Sequence, residues 1–80
     1  MSEQVVHLKY NEFVMFCMWY FKRYNCKLKF EFKHMYSATI FKIGGNWIFE
    51  YNMTNSMIVW SALSNHVDMY NKYLEAEDII

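Results

Sequence analysis

Two adjacent glycines, Gly44 and Gly45, are the only glycines in the chain. They separate two runs rich in β-branched and aromatic residues, YSATIFKI and NWIFEYN. Adjacent glycines supply the positive φ angles of a two-residue hairpin turn, so the pattern predicts a β-hairpin in which Ile43 pairs with Asn46. A regular register then places on one face Tyr36, Ala38, Ile40, Trp47, Phe49 and Tyr51. It places on the other face Thr39, Phe41, Ile48 and Glu50.

The preceding segment KLKFEFK, Lys27 to Lys33, alternates strictly between polar and apolar residues. This predicts a half-buried strand with Leu28, Phe30 and Phe32 inward and lysines that protect a sheet edge. A three-residue link over 33–35 puts these apolar side chains on the face of Ile40 and gives one core face. A two-residue link puts them opposite and makes both faces apolar, which calls for oligomerisation. We expect the three-residue link.

The run FVMFCMWYF, residues 13–21, is apolar or aromatic throughout and is followed by Lys22 and Arg23. It is far shorter than the about 20 residues of a membrane-spanning helix. On a helical wheel from Glu12 to Tyr24, with Asn11 as N-cap and Asn25 at the end, most of the run shares one broad arc. The pattern therefore predicts an amphipathic core helix, in which Met15 and Trp19 are left on the otherwise polar side.

The two ends of the chain supply two further predicted elements. Gln4 to Lys9 contains two consecutive valines and reads as a strand, or as a backward extension of the first helix. Asn55 to about Glu75 reads as one long helix whose wide apolar arc includes Trp60 and His66. From about residue 75 the chain is a short acidic tail. We prefer the N-terminal strand.

These elements predict a single α+β domain over residues 1–80. Its architecture is a three-stranded antiparallel meander with two helices packed on one face and an additional N-terminal strand, in the order β-α-β-β-β-α. Hydrophobic residues make up 55% of the chain and aromatic residues 21%, which is rich for a domain of 80 residues. Such a small domain has a thin core, so apolar surface remains for a partner or a second copy.

The formal net charge is zero, which gives no global attraction for nucleic acid or anionic lipid. Two cysteines without C-x-x-C spacing predict reduced thiols and a cytoplasmic protein. The residue usage, with seven Asn, seven Lys, one Arg and no Pro, is typical of AT-rich coding such as that of phages and mobile elements.

No motif in the sequence carries chemistry. Cys17 falls on the buried arc of its helix, and His7, His34 and His66 match no metal-ligand spacing. His66 reads as a core histidine, and the paired carboxylates lie in the tail. We therefore expect no enzyme activity, no cofactor and no metal.

The Trp, Met and Arg residues that lie outside the predicted core indicate protein binding instead, because these residue types dominate interfaces. The predicted partner-binding residues are Met15, Trp19, Lys22, Arg23, Phe41 and Ile48. The structural alternatives are that Gln4–Lys9 covers Met15 and Trp19, and that Phe41 and Ile48 are scattered surface hydrophobes. The hypothesis is a phage or mobile-element inhibitor or regulator that occludes a host protein and forms a homodimer, with no membrane contact.

The alternative function is nucleic-acid binding through Lys27, Lys29 and Lys33. The order helix, three-strand meander, helix over residues 11–74 resembles that of double-stranded-RNA-binding domains. That resemblance implies a basic cluster at the start of the second helix, where this chain instead reads TNSMIVW without a cation. The expected partner is thus a protein rather than a nucleic acid.

Overall fold

The structure is a computed structural model that describes residues 6–77. Its elements in chain order are β1 Val6–His7, α1 Tyr10–Tyr24, β2 Phe30–Met35, β3 Ala38–Ile43, β4 Asn46–Asn52, β5 Met57–Ser61 and α2 His66–Ala76. The α+β class agrees with the sequence prediction. The N-terminal strand is present at Val6–His7, whereas residues 4 and 5 of the predicted strand lie outside the described residues.

The sheet has five antiparallel strands in the order β1-β5-β4-β3-β2, so the predicted three-stranded meander is wrong. After β1 the chain runs through α1 to β2 at the opposite edge. It then returns strand by strand until β5 pairs with β1. The lysine-bearing strand β2 therefore forms one edge of the sheet, as its alternating pattern predicted.

The predicted long helix from Asn55 is also wrong, because its first part forms β5. Ile58 pairs with Tyr51 of β4 on one side and with Val6 of β1 on the other. A second helix begins only at His66, where the side chain of Asn65 accepts a hydrogen bond from the Asp68 backbone N–H. Pairing on both sides holds Ile58 in the strand, and Val59 is the extra residue of a second β-bulge, because Glu50 pairs with Trp60 and Tyr51 with Ile58.

The glycine turn forms as predicted, with φ of 59° at Gly44 and 82° at Gly45, and Ile43 pairs with Asn46. Beyond it the register shifts between Phe41 and Lys42. Lys42 pairs with Trp47 but Phe41 pairs with Phe49, so Ile48 is the extra residue of a β-bulge.

This bulge corrects the predicted faces. Phe41 lies on the same face as Phe49 and Tyr51, whereas Ile40 lies on the other, because side chains alternate along a strand. The predicted grouping of Ile40 with Phe49 and Tyr51 is therefore wrong.

The link between β2 and β3 is a two-residue turn at 36–37, not the predicted three-residue link over 33–35. Met35 pairs with Ala38, and Tyr36 adopts a φ of 56°. Phe32 consequently pairs with Phe41. Phe32 of β2 thus packs against the same core as Phe41 and Phe49, whereas Ile40 lies on the other face of the sheet.

The core lies between the sheet and the helices. Helix α1 buries Phe13, Phe16, Cys17 and Tyr20, which belong to its predicted apolar arc. The sheet contributes buried side chains that include Phe41, Ile43, Phe49, Tyr51 and Ile58. Helix α2 adds Tyr73, whose ring centroid lies 5.5 Å from that of Phe16.

The start of α1 is fixed by backbone and side-chain hydrogen bonds. Its N-cap is Lys9 rather than the predicted Asn11, and the Glu12 carboxylate accepts a hydrogen bond of 2.6 Å from the Lys9 backbone N–H. The buried Tyr51 hydroxyl donates to the Leu8 carbonyl oxygen at 2.8 Å. At the other end the Asn25 N–H donates to the Phe21 carbonyl, which agrees with the predicted helix end.

Candidate protein-binding surfaces

Four of the predicted partner-binding residues meet on the outer side of α1. Met15, Trp19, Lys22 and Arg23, here called the α1 surface, line one pocket of about 550 Å³. The remaining lining residues are Val14, Met18 and Glu77. Met15 is 53% exposed, so its thioether side chain is available to a partner. The pocket combines apolar side chains with two cations and one carboxylate.

Trp19 is half-buried, and the side chains that cover it come from the helices. Its ring centroid lies 5.6 Å from that of Tyr73 in α2 and 6.2 Å from that of Phe16. The described part of the N-terminal segment instead pairs with β5 as β1. For the described residues 6–9, the alternative in which that segment covers Met15 and Trp19 is therefore wrong. Trp19 is partly buried against the core by residues of α1 and α2.

Arg23 lies against the exposed side of Trp19. Its guanidinium carbon lies 5.9 Å from the Trp19 ring centroid and 5.8 Å from that of Tyr24. Each such cation–π contact contributes about 0.5–1 kcal/mol at an exposed site. A second pocket of about 360 Å³ lies beside the first and shares Trp19 and Arg23 with it. The other residues of that pocket are Tyr24, Lys72, Glu75 and Ala76.

The predicted outer pair of Phe41 and Ile48 does not exist. Phe41 is 0% exposed and pairs with Phe49 inside the core. Ile48 is half-buried and packs against the core at the bulge. The prediction assumed an uninterrupted hairpin register, which the bulge breaks, so neither residue forms the expected surface patch.

An aromatic pair that the sequence analysis missed lies on the sheet face away from the helices. Trp47 and Trp60 meet with centroids 6.4 Å apart at an interplanar angle of 83°. They are 44% and 45% exposed. Trp60 was assigned to a helix and Trp47 to the core face. The short run Met57–Trp60 does not by itself separate a strand from a buried helix, so the sequence carried no decisive signal for this pair.

The three predicted nucleic-acid-binding lysines do not form an unbroken basic surface. Lys27 and Lys29 precede β2, and Lys33 lies within it. Lys29 lines a pocket of about 490 Å³ at the glycine turn, together with the ion pair of Glu31 and Lys42, whose charged atoms lie 3.8 Å apart. A carboxylate thus interrupts the basic segment. Strand β5 is a fourth strand between the two helices, so the element order no longer resembles that of double-stranded-RNA-binding domains.

The cysteine and histidine side chains differ in burial and in hydrogen bonding. Burial raises the pKa of the Cys17 thiol well above its ordinary value, which makes the thiol unreactive, while Cys26 is exposed. His34 Nδ1 shares a hydrogen bond of 2.9 Å with the Thr39 hydroxyl. Burial lowers the pKa of His66, whose Nε2 has no hydrogen-bond partner within residues 6–77.

Within the same residues, no group of three or more His, Cys, Asp or Glu side chains is placed to hold a metal ion. No helix in the described part of the chain has the length and apolar character to cross a membrane. No known protein family, curated protein or solved structure matches this chain.

Proposed function

We propose that this chain is a small non-enzymatic protein-binding module that contacts its partner through the α1 surface. The observation that carries the proposal is that Met15, Trp19, Lys22 and Arg23 line a single pocket. The residues predicted from their type and helical spacing thus lie together beside a concave surface. Concave surfaces with apolar side chains and a few charged groups favour binding.

The α1 surface supplies the parts that a protein interface uses. Trp19 is an anchor held between Tyr73 and Arg23, so little side-chain entropy is lost when a partner covers it. Met15 is a flexible apolar contact that adapts its shape to the partner. Lys22 and Arg23 form a basic rim that orients an acidic surface on the partner.

The mechanism is steric: the bound module covers a surface that its partner needs for another contact. The AT-rich residue usage supports a phage or mobile-element inhibitor or regulator, which acts on a host protein in the cytoplasm. A basic rim beside an aromatic anchor suits a target surface that normally carries acidic groups or binds basic ligands.

Capture from host-cell lysate tests the proposal, with the tagged full chain as bait and half of each sample treated with nuclease. We expect one discrete protein to survive nuclease treatment. Met15→Glu places a carboxylate on the α1 surface and should abolish capture. Met35→Glu is the matched control, because Met35 is also an exposed methionine but lies on β2. It should capture normally.

The nucleic-acid alternative predicts the opposite pattern. Capture would then disappear with nuclease, fall steeply with salt and be lost when Lys27, Lys29 and Lys33 are all changed to Gln. Capture that survives in Met15→Glu, or disappears equally in Met35→Glu, contradicts the proposal.

A further inference from the structure

The sheet face away from the helices, here called the open face, carries a cluster of exposed aromatic side chains. It is defined by the register rows Lys33–Ile40–Glu50–Trp60 and Glu31–Lys42–Trp47. Trp47 and Trp60 touch each other across strands and are each nearly half exposed. Both helices contribute their buried residues to the core on the opposite face. Trp47 and Trp60 therefore remain available to a partner, whereas Ile40 beside them is only 2% exposed.

The charges of the open face alternate in sign. Lys33 and Glu50 lie on either side of Ile40 in one row, and Glu31 and Lys42 form an ion pair in the next. The two rows together carry two lysines and two glutamates. A polyanion would meet two carboxylates here, beside Trp47 and Trp60, and phosphate contacts dominate the affinity of nucleic-acid binders. The pattern therefore disfavours a nucleic acid.

We propose that the open face is the surface on which a second copy of this chain docks. A two-fold dimer brings the same patch of both copies together, so the patch must complement itself. Alternating lysines and glutamates meet this requirement, because rotation by two-fold symmetry can place each sign opposite the other. The aromatic pair supplies the apolar centre that such an interface needs.

The open face is smaller than the surface that a stable dimer usually buries. Four strands about 4.8 Å apart and six residues long at about 3.4 Å each give a footprint of roughly 400 Å². Stable interfaces bury about 800 Å² per partner. We therefore expect a reversible dimer that dissociates at micromolar concentrations rather than an obligate one.

The dimer adds a property to the proposed function without depending on it. Helix α1 packs on the face of the sheet opposite to Trp47 and Trp60, so docking through the open face leaves both α1 surfaces free. A dimer therefore presents two partner-binding surfaces. Such a bivalent arrangement raises avidity for a partner that is itself oligomeric.

Sedimentation equilibrium of the full chain tests the proposal, from about 0.5 μM to about 500 μM, a range that brackets micromolar dissociation constants. The wild-type mass should rise from 9.9 kDa toward twice that value. Trp60→Lys and Trp47→Glu should each raise the dissociation constant at least about tenfold. Both variants should keep the wild-type fold, because the new lysine lies opposite Glu50 and the new glutamate opposite Lys42.

Met15→Lys is the control, because it places a charge on the α1 surface and should dimerise like the wild type. Circular dichroism establishes that each variant is folded, and the two tryptophan variants introduce charges of opposite sign. A wild-type mass that stays at 9.9 kDa throughout overturns the proposal. So does a dimer that persists in both tryptophan variants, or one that only Met15→Lys disrupts.

A single-stranded oligonucleotide added to the monomeric protein tests the alternative that the open face binds a nucleic acid. If it quenches tryptophan fluorescence in the wild type but not in Trp47→Glu, and the protein alone never dimerises, the open face belongs to a nucleic acid and the proposal is wrong. Dimerisation without any effect of the oligonucleotide supports it. Neither result bears on capture through Met15, so the two proposals fail separately.

Discussion

The two faces of the sheet carry similar aromatic residues that differ in burial. On the helix-covered face, Phe41 and Phe49 form a cross-strand pair and are fully buried. On the open face, Trp47 and Trp60 form an aromatic pair that remains nearly half exposed. Residue type does not distinguish them, since all four are large aromatics. Two bulges do: the one at Ile48 decides which side chains of β3 and β4 share a face, and the one at Val59 pairs Trp60 with Glu50 rather than with Phe49.

The largest expected effect comes from removing a ring on the covered face. Phe41→Ala should lower the free energy of unfolding by about 3–5 kcal/mol, because it deletes a buried ring and leaves a cavity. Trp47→Ala, on the open face, should change it by less than about 1 kcal/mol when the protein is monomeric. Urea denaturation at low protein concentration measures both.

The contrast between these two variants tests the register directly. If the hairpin were regular, Phe41 would lie on the outer face and Trp47 in the core, and the order of the two effects would reverse. Equal effects would show that Trp47 is as buried in the monomer as Phe41.

A smaller effect is expected from the hydrogen bond that attaches the N-terminal segment to the covered face. Tyr51→Phe keeps the ring but removes the hydroxyl that donates to the Leu8 carbonyl oxygen. A buried hydrogen bond of this kind contributes about 0.5–1.5 kcal/mol. Thermal unfolding should show a loss of that size, and amide exchange of β1 should increase. No change in exchange at β1 would mean that strand pairing alone holds the segment.

The smallest predicted effect is a pH dependence that arises at the start of α2. Burial lowers the pKa of His66 below its ordinary value of 6.5, so the unfolded chain binds the proton more tightly than the folded one. The free energy of unfolding should therefore fall as the pH drops below about 6.5, until it passes the folded-state pKa of His66.

Chemical denaturation between pH 7.5 and pH 5 follows this dependence, over a range that brackets the ordinary pKa of histidine. His66→Gln should reduce the slope of stability against pH. His7→Gln is the matched control, because His7 is exposed on β1. An unchanged slope in His66→Gln would assign the dependence to other groups.

Much of the local structure was predictable because it depends on short-range patterns. The residues of α1 alternate with the period of an amphipathic helix, and the predicted buried arc contains Phe13, Phe16, Cys17 and Tyr20. Adjacent glycines specified the turn at 44–45. The same wheel left Met15 and Trp19 on the outer side, and the structure brings them together with Lys22 and Arg23 in one pocket.

The prediction failed where a residue's place depends on a distant strand. Met57 to Trp60 is apolar enough for either a buried helix or a strand, and only pairing with β1 and β4 selects the strand. The bulge at Ile48 has no glycine or proline to mark it. One inserted residue then moved Phe41 into the core and left Trp47 on the open face, so the predicted site lost Phe41 and Ile48.

The sequence by itself therefore determined helix α1 and the glycine turn, whose stabilising contacts lie within a few residues. It also placed a lysine-bearing strand at the sheet edge, but that strand runs over Phe30–Met35 rather than Lys27–Lys33, and Leu28, predicted inward, is 51% exposed. The tertiary structure alone decided the number of strands, the faces of β3 and β4 and the exposure of the two tryptophans. The physical reason is the two-residue period of a strand. A shift of a single residue exchanges its two faces, and the pairing energy that selects the register is distributed over residues far apart in the chain.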